Sequence, residues 1–205
     1  MPISFECNAG DKICSNVERK IRSLLDKAGF DGEAEIRVVI GKPGKCAGAC
    51  VFYNTELDEK LALFNALSSI FTFALGESLG RKGATCKFWL ADGLGALLAT
   101  KLIEAWHSGF SKELERMAGG LVDERLLEER FGILRLTGPG MIVPSTGKSS
   151  GDIAKAAMIT LEYLNSTVFR VSAAKVVEEK LGHTPTSWTE VVRGAENLCT
   201  TRNSG

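Results

Sequence analysis

The sequence has no excess of either charge. Lysine and arginine number 25, aspartate and glutamate 25, and nowhere do five like charges run together. A nucleic-acid partner ordinarily asks for a basic excess or stripe, so none is expected, and neither is a charged tail. Apolar runs of membrane length are missing too. The longest, LALFNALSSIFTFAL over residues 61–75, is followed by Glu77 and preceded by Glu59 and Lys60. It falls short of the roughly 20 residues that cross a bilayer, which predicts a buried core helix and no membrane partner. The opening stretch MPISFECNAGDKICSN has no basic start followed by a hydrophobic segment, so a soluble, cytoplasmic protein with reduced cysteines is expected. Six cysteines in 205 residues are too sparse for a disulfide scaffold. Without a secretory route, the glycosylation pattern Asn165-Ser166-Thr167 is expected to be idle. No internal repeat or low-complexity linker is present.

Helical spacing is plain in residues 11–28, where Ile13, Val17, Ile21, Leu24, Leu25 and Ala28 recur on one face and Gly29 follows as a stop. Strands are expected at AEIRVVI (34–40) and ACVFYN (49–54). Thr55-Glu56-Leu57-Asp58 has the spacing of a capping box and should open the long apolar helix, which runs to about Leu79 with Gly80 at C′. ATCKFWLA (84–91) reads as a third strand and DGLGALLATKLIEAW as a helix. Two amphipathic segments follow, residues 111–117 and 122–130. GILRLT and MIVPS bracket a Gly-Pro-Gly turn as two further strands. From Ser150 the chain reads as helical to about Leu198, with TTRNSG a frayed tail. These elements predict an α/β or α+β fold of about four or five strands with roughly six helices, predominantly helical. They are expected to form a single globular domain over residues 1–205; any boundary would fall near 138–151, where glycine, proline, serine and threonine concentrate.

The candidate sites begin with GKPGKCAGAC (41–50), the connection between the first two expected strands. Cys46 and Cys50 form one C-x₃-C pair, which misses the C-x-x-C redox spacing by one residue and lacks the second ligand pair of a zinc site. No metal is therefore expected. Lys42 and Lys45 could lower a thiol pKa, and with glycines around it Cys46 is the candidate nucleophile, more accessible than Cys50. Of the two histidines, His107 follows Trp106 at a helix end and His183 lies in the loop LGHTPTSW. Either has the reference pKa of a general base, and Cys46 with His183 is the candidate catalytic dyad. STGKSSGD (145–152) resembles the end of a phosphate-binding loop, but Ile142 stands where the first glycine of that motif belongs. What remains is an anion-binding candidate made of Gly147, Lys148, Ser149 and Ser150 at a helix start. The same serines would equally serve as an N-cap.

DIAKAAMITL followed by VSAAKVVEEKLGHTPTSWTEVV resembles the end of NmrA-like relatives of the short-chain dehydrogenases, over about a quarter of the chain. The resemblance implies an opening strand and a glycine-rich dinucleotide fingerprint. Residues 1–40 contain no such fingerprint, and GKPGKCAGAC does not fit G-x-G-x-x-G, so no cofactor is expected. The leading expectation is a soluble binding or self-assembly protein, with Trp89, Trp106, Trp188 and the long helix supplying core and a face for a second copy. The alternative is an enzyme acting on a phosphorylated or otherwise anionic small molecule through Cys46.

Overall fold

The computed structural model describes residues 3–147 and 149–201. Among them are eight helices and seven strands, in a mixed α/β, predominantly helical fold. The strands form two small sheets. The first holds β1 (Ile3–Cys7), β2 (Ile36–Gly41) and β3 (Cys50–Asn54) in that order, all parallel. Helix α1 (Asp11–Lys27) makes the crossover from β1 to β2, and it buries Val17, Ile21, Leu24 and Leu25 as expected, but Cys14 and not Ile13, which is 50% exposed, starts the stripe. Strand β1 itself was not expected.

The β2–β3 connection is unusual. Parallel neighbours are ordinarily joined by a dozen or more residues, and here residues 42–49 suffice. Arg37 pairs with Cys50 and Gly41 with Asn54, so the chain must return about 13 Å along the strand direction at roughly 3.3 Å per residue. Eight residues reach about twice that far when extended. The surplus bows outward as a loop, and its residues Pro43 to Ala47 make no backbone-to-backbone hydrogen bond among the described residues.

The second sheet is antiparallel, in the order β6 (Met141–Pro144), β5 (Leu134–Gly138), β4 (Ala84–Lys87) and β7 (Thr200–Thr201). Two boundaries differ from the sequence reading here. The strand expected at 84–91 ends at Lys87, and Phe88 already begins α3 (Phe88–Glu104). Thr200 and Thr201, placed in the frayed tail, pair with Thr85 and Ala84. A disulfide between Cys86 and Cys199 holds that junction.

Between the sheets runs α2 (Glu59–Arg81), capped by Asp58, whose side chain accepts from the Lys60 N–H. The helix thus starts one turn later than a Thr55 cap would place it, and Gly80 lies inside it, with Lys82 as C-cap. By length and composition α2 could cross a membrane, yet 72% of its apolar window is buried within the protein. It packs on α3, and α3 in turn on α7 (Thr167–Leu181). Both contacts are close enough to require glycine. A Cβ on Gly93 would stand 2.7 Å from the Ala173 carbonyl oxygen, and one on Gly95 would stand 2.7 Å from that of Ser68. Helices α4 (Phe110–Ala118), α5 (Glu124–Phe131) and α8 (Trp188–Leu198) cover the remaining faces. One hydrophobic cluster runs through both sheets and the helices between them.

Helix α6 (Ser150–Leu164) is the exception. Only Ala156 and Tyr163 are buried, while Ile153, Met158 and Leu161 are exposed by 57, 72 and 59%. Tyr163 is its anchor. The ring packs edge-on against Phe88 and Phe131 at 5.1 and 5.0 Å between centroids.

Candidate functional site

The chemistry-bearing residues of the interior converge on Asp92, a fully buried carboxylate in the first turns of α3. Arg170, 3% exposed near the start of α7, meets it in a two-pronged ion pair. Arg170 Nε donates to Asp92 Oδ2 and Nη2 donates to Oδ1, both at 2.9 Å. The Tyr163 hydroxyl donates to Oδ2 at 3.0 Å, and the Thr72 hydroxyl lies 3.1 Å from Oδ1. The rest of the guanidinium is fully engaged. Nη2 donates to Ser69 Oγ at 3.1 Å, and Nη1 donates to both the backbone oxygen and Oδ1 of Asn65 at 3.3 and 3.2 Å. No buried side-chain polar atom among the described residues lacks a partner, as a buried charge pair requires if it is not to destabilise the fold.

The electrostatics follow from that geometry. Burial alone would lower the Arg170 pKa, but the charge and hydrogen bonds of Asp92 outweigh it and the net shift is upward. Burial pushes the Tyr163 phenol well above its ordinary value, and the neighbouring Asp92 carboxylate adds to the rise. The cluster is therefore a neutral unit: one cation, one anion, one phenol that keeps its proton.

Ser69, Asn65 and Arg170 also form the floor of a cavity of about 450 Å³ between β3, α2, α6 and α7. Its walls are mainly apolar and include Phe52, Leu61, Phe73, Leu161 and Leu164. Volume and lining fall in the range typical of small-molecule sites. Among the described residues Arg170 is the sole charged one on the lining, and Asp92 neutralises it. The floor is rich in hydrogen-bond donors. Arginine can only donate, so Asn65 must turn its oxygen toward Arg170, which leaves its Nδ2 group directed elsewhere. Ser69 accepts from Arg170 and keeps its own hydroxyl proton. Asn54, also on the lining, uses its Oδ1 to accept the Glu56 N–H and likewise retains its NH₂.

The residues singled out from the sequence fall elsewhere or in other roles. All six cysteines are paired, as Cys7–Cys14, Cys46–Cys50 and Cys86–Cys199, which corrects the expectation of reduced thiols. The parallel register sets Cys50 at the start of β3, and the loop returns Cys46 to a Cα–Cα distance of 6.2 Å, within disulfide reach. Bonded to each other, neither sulfur is a thiol nucleophile. Cys50, Pro43 and Gly44 line the rim of the cavity. His183 lies past the far end of α7, thirteen residues beyond Arg170, or about 20 Å along a helix rising 1.5 Å per residue. It is exposed, its Nδ1 lies 3.1 Å from the Leu181 oxygen, and it does not join Cys46. His107 is likewise exposed, three residues past the end of α3.

At the expected anion site, Lys148 lies outside the described residues. Ser149 is the N-cap of α6, and Ser150 is its first helical residue. The Ser149 hydroxyl accepts from the Asp152 N–H, and the Asp152 carboxylate accepts from the Ser149 N–H, each at 3.1 Å. Gly147 closes over that carboxylate, so near that a Cβ there would stand 2.5 Å from Asp152 Oδ2. Asp152, its pKa lowered first by the Ser149 hydroxyl and then by the Ser149 amide, occupies the ground a bound anion would take. Ser149 serves as the cap.

The sequence reading missed Asp92, Arg170, Asn65 and Ser69. A usable signal was present: Asp92 interrupts an otherwise uncharged stretch, FWLADGLGALLAT, and a carboxylate in an all-apolar helix demands a buried partner. Arg170, set in TVFRVSAA between apolar neighbours, was the matching half. No family model, curated protein or solved structure matches the chain.

Proposed function

We propose that this chain is a small-molecule binding protein whose cavity takes an uncharged, largely apolar molecule bearing an oxygen acceptor such as a ketone, ester or ether. The observation that carries the reading is the composition of the cavity, with apolar walls over a floor of Asn65, Ser69 and neutralised Arg170. An anionic ligand is disfavoured there because every guanidinium N–H of Arg170 already has a partner. An enzyme using Cys46 is disfavoured by the Cys46–Cys50 bond. A neutral acceptor fits instead: the Asn65 amide and the Ser69 hydroxyl can donate to it, and the aromatic and leucine side chains exclude water.

Nile red, an uncharged apolar dye with one carbonyl, is the test ligand. It should bind with saturating one-to-one stoichiometry and raise the melting temperature in proportion to its concentration over its dissociation constant. Leu164→Trp, which fills the cavity from α6, should abolish binding. Ser69→Ala, which removes a donor, should weaken it by about tenfold, the usual worth of one hydrogen bond. Saturable binding that survives Leu164→Trp would place the dye elsewhere and remove the support for this reading.

A further inference from the structure

We propose that Cys46–Cys50 is a thiol–disulfide exchange site that sets the shape of the cavity, an inference that rests on the ligand-binding reading above and adds its regulation. Three observations meet at this bond. It lies in a surface loop in which Pro43 to Ala47 have no backbone-to-backbone hydrogen bonds among the described residues, so the disulfide is the main restraint on the stretch between Lys42, which is ion-paired with Glu56, and Gly48–Ala49, which are hydrogen-bonded at the start of β3. Both sulfurs belong to half-buried residues, whereas each of the other two bonds has one partner in the core: Cys14, 7% exposed, bonded to exposed Cys7, and Cys86, 1% exposed, bonded to half-buried Cys199. Finally, the loop forms walls on two sides. Pro43, Gly44 and Cys50 line the 450 Å³ cavity, and Ala47, Gly48 and Ala49 line a second, more open hollow of about 500 Å³ beside Ile3, Ser4 and Arg37.

The chain length gives the bond its leverage. The β2–β3 connection is about twice as long as the return path needs, and closing Cys46 onto Cys50 takes up that surplus next to the strand. Opening it frees the surplus to move over the cavity mouth. The step requires a dithiol reductant. One thiolate attacks Cys46 Sγ, the Sγ–Sγ bond breaks, and Cys50 leaves as a thiolate that takes up a proton. The reductant's second thiolate then displaces Cys46 from the mixed disulfide, so that two electrons pass to the protein and the reductant leaves as its own cyclic disulfide. Lys45 and Lys42, exposed on the same loop, favour the thiolates; Lys42 is 2.7 Å from Glu56 and shares its charge with that partner.

The test uses the intact protein and dithiothreitol at graded concentrations, with differential alkylation mapped by mass spectrometry. Cys46 and Cys50 should label together at the lowest reductant concentration, with Cys86 and Cys199 last. At that concentration, hydrogen exchange should speed up by about tenfold or more in residues 42–49, with smaller increases in the cavity walls. Nile red affinity should shift by about fivefold or more, and Cys46→Ser with Cys50→Ser should reproduce the reduced form without reductant. Earlier labelling of another pair would overturn the proposal. So would a reduced form with unchanged exchange in residues 42–49. If Nile red binds neither form, the ligand-binding reading fails, while labelling order and exchange still decide whether this bond is the exchange site.

Discussion

Helices α2 and α6 are similar in apolar content and opposite in fate. Fourteen residues of α2 are buried, Phe64, Leu67, Ile70 and Phe71 among them, and they face neighbours on every side. Helix α6 buries two, leaves Ile153 and Met158 in water and exposes Leu161 at the cavity. The difference is polar, not apolar. Around α2 and α3, the Asp92–Arg170 pair and its partners from four helices hold the packing in one arrangement. A single hydroxyl from α6, that of Tyr163, reaches the same cluster. Helix α6, held by buried Ala156 and Tyr163 and by the Arg130–Glu162 ion pair at 3.0 Å, is a lightly buried wall beside an apolar cavity.

The largest expected effect sharpens the interior side of the contrast. Asp92→Ala leaves the Arg170 cation buried without its counter-charge and should cost about 3–5 kcal/mol, measured by chemical denaturation. A loss below about 1 kcal/mol would mean that the cluster does not fix the interior. Next, Phe71→Ala should cost about 3–5 kcal/mol and Leu67→Ala about 2–5 kcal/mol, the usual penalties for truncating a packed core side chain. The same truncation of exposed Leu161 should cost far less. Equal losses at Leu67 and Leu161 would erase the distinction between the two helices.

Alkaline titration probes the anchor. The protein has two tyrosines. Burial, followed by the charges of Glu59 and Asp58, pushes Tyr53 up to about 12, and burial together with the Asp92 carboxylate raises Tyr163 well above its ordinary value. A raised phenol pKa means the fold favours the protonated form. That stability is complete below the ordinary tyrosine value near 10 and is lost as pH rises through the folded value. Ultraviolet difference titration should therefore show neither phenol ionising below about pH 11 until the protein unfolds. An early single-tyrosine step in the native protein that disappears in Tyr163→Phe would show α6 unanchored. The smallest effect belongs to the outer face: Met158→Gln should change stability by about 0.5 kcal/mol or less and leave Nile red binding intact.

How much of this was legible beforehand depended on burial. Helix α1 was readable because one face is wet, so Val17, Ile21 and Leu24 stand out against the polar residues between them. The α3 boundary was not, because Phe88 to Ala91 are buried whichever element holds them, and a segment buried on all sides carries no periodicity to distinguish strand from helix. Strand β1 escaped notice because only Ile3 of its five residues is buried. Ser149 was readable as a cap because capping is local, satisfied by Asp152 three residues on. The cavity was not readable, since Asn65 and Arg170 lie 105 positions apart and nothing local joins them. The disulfide from Cys86 to Cys199, across 113 positions, was hidden for the same reason.

Amide chemical-shift mapping of the protein titrated with Nile red tests the central claim most directly. The account predicts saturable shifts concentrated at Phe52, Leu61, Asn65, Ser69 and Phe73 on one side of the cavity and at Leu161, Leu164 and Arg170 on the other. Shifts centred instead on Ile153 and Met158, or scattered without saturation, would show dye adhering to the outer face of α6 and would contradict it.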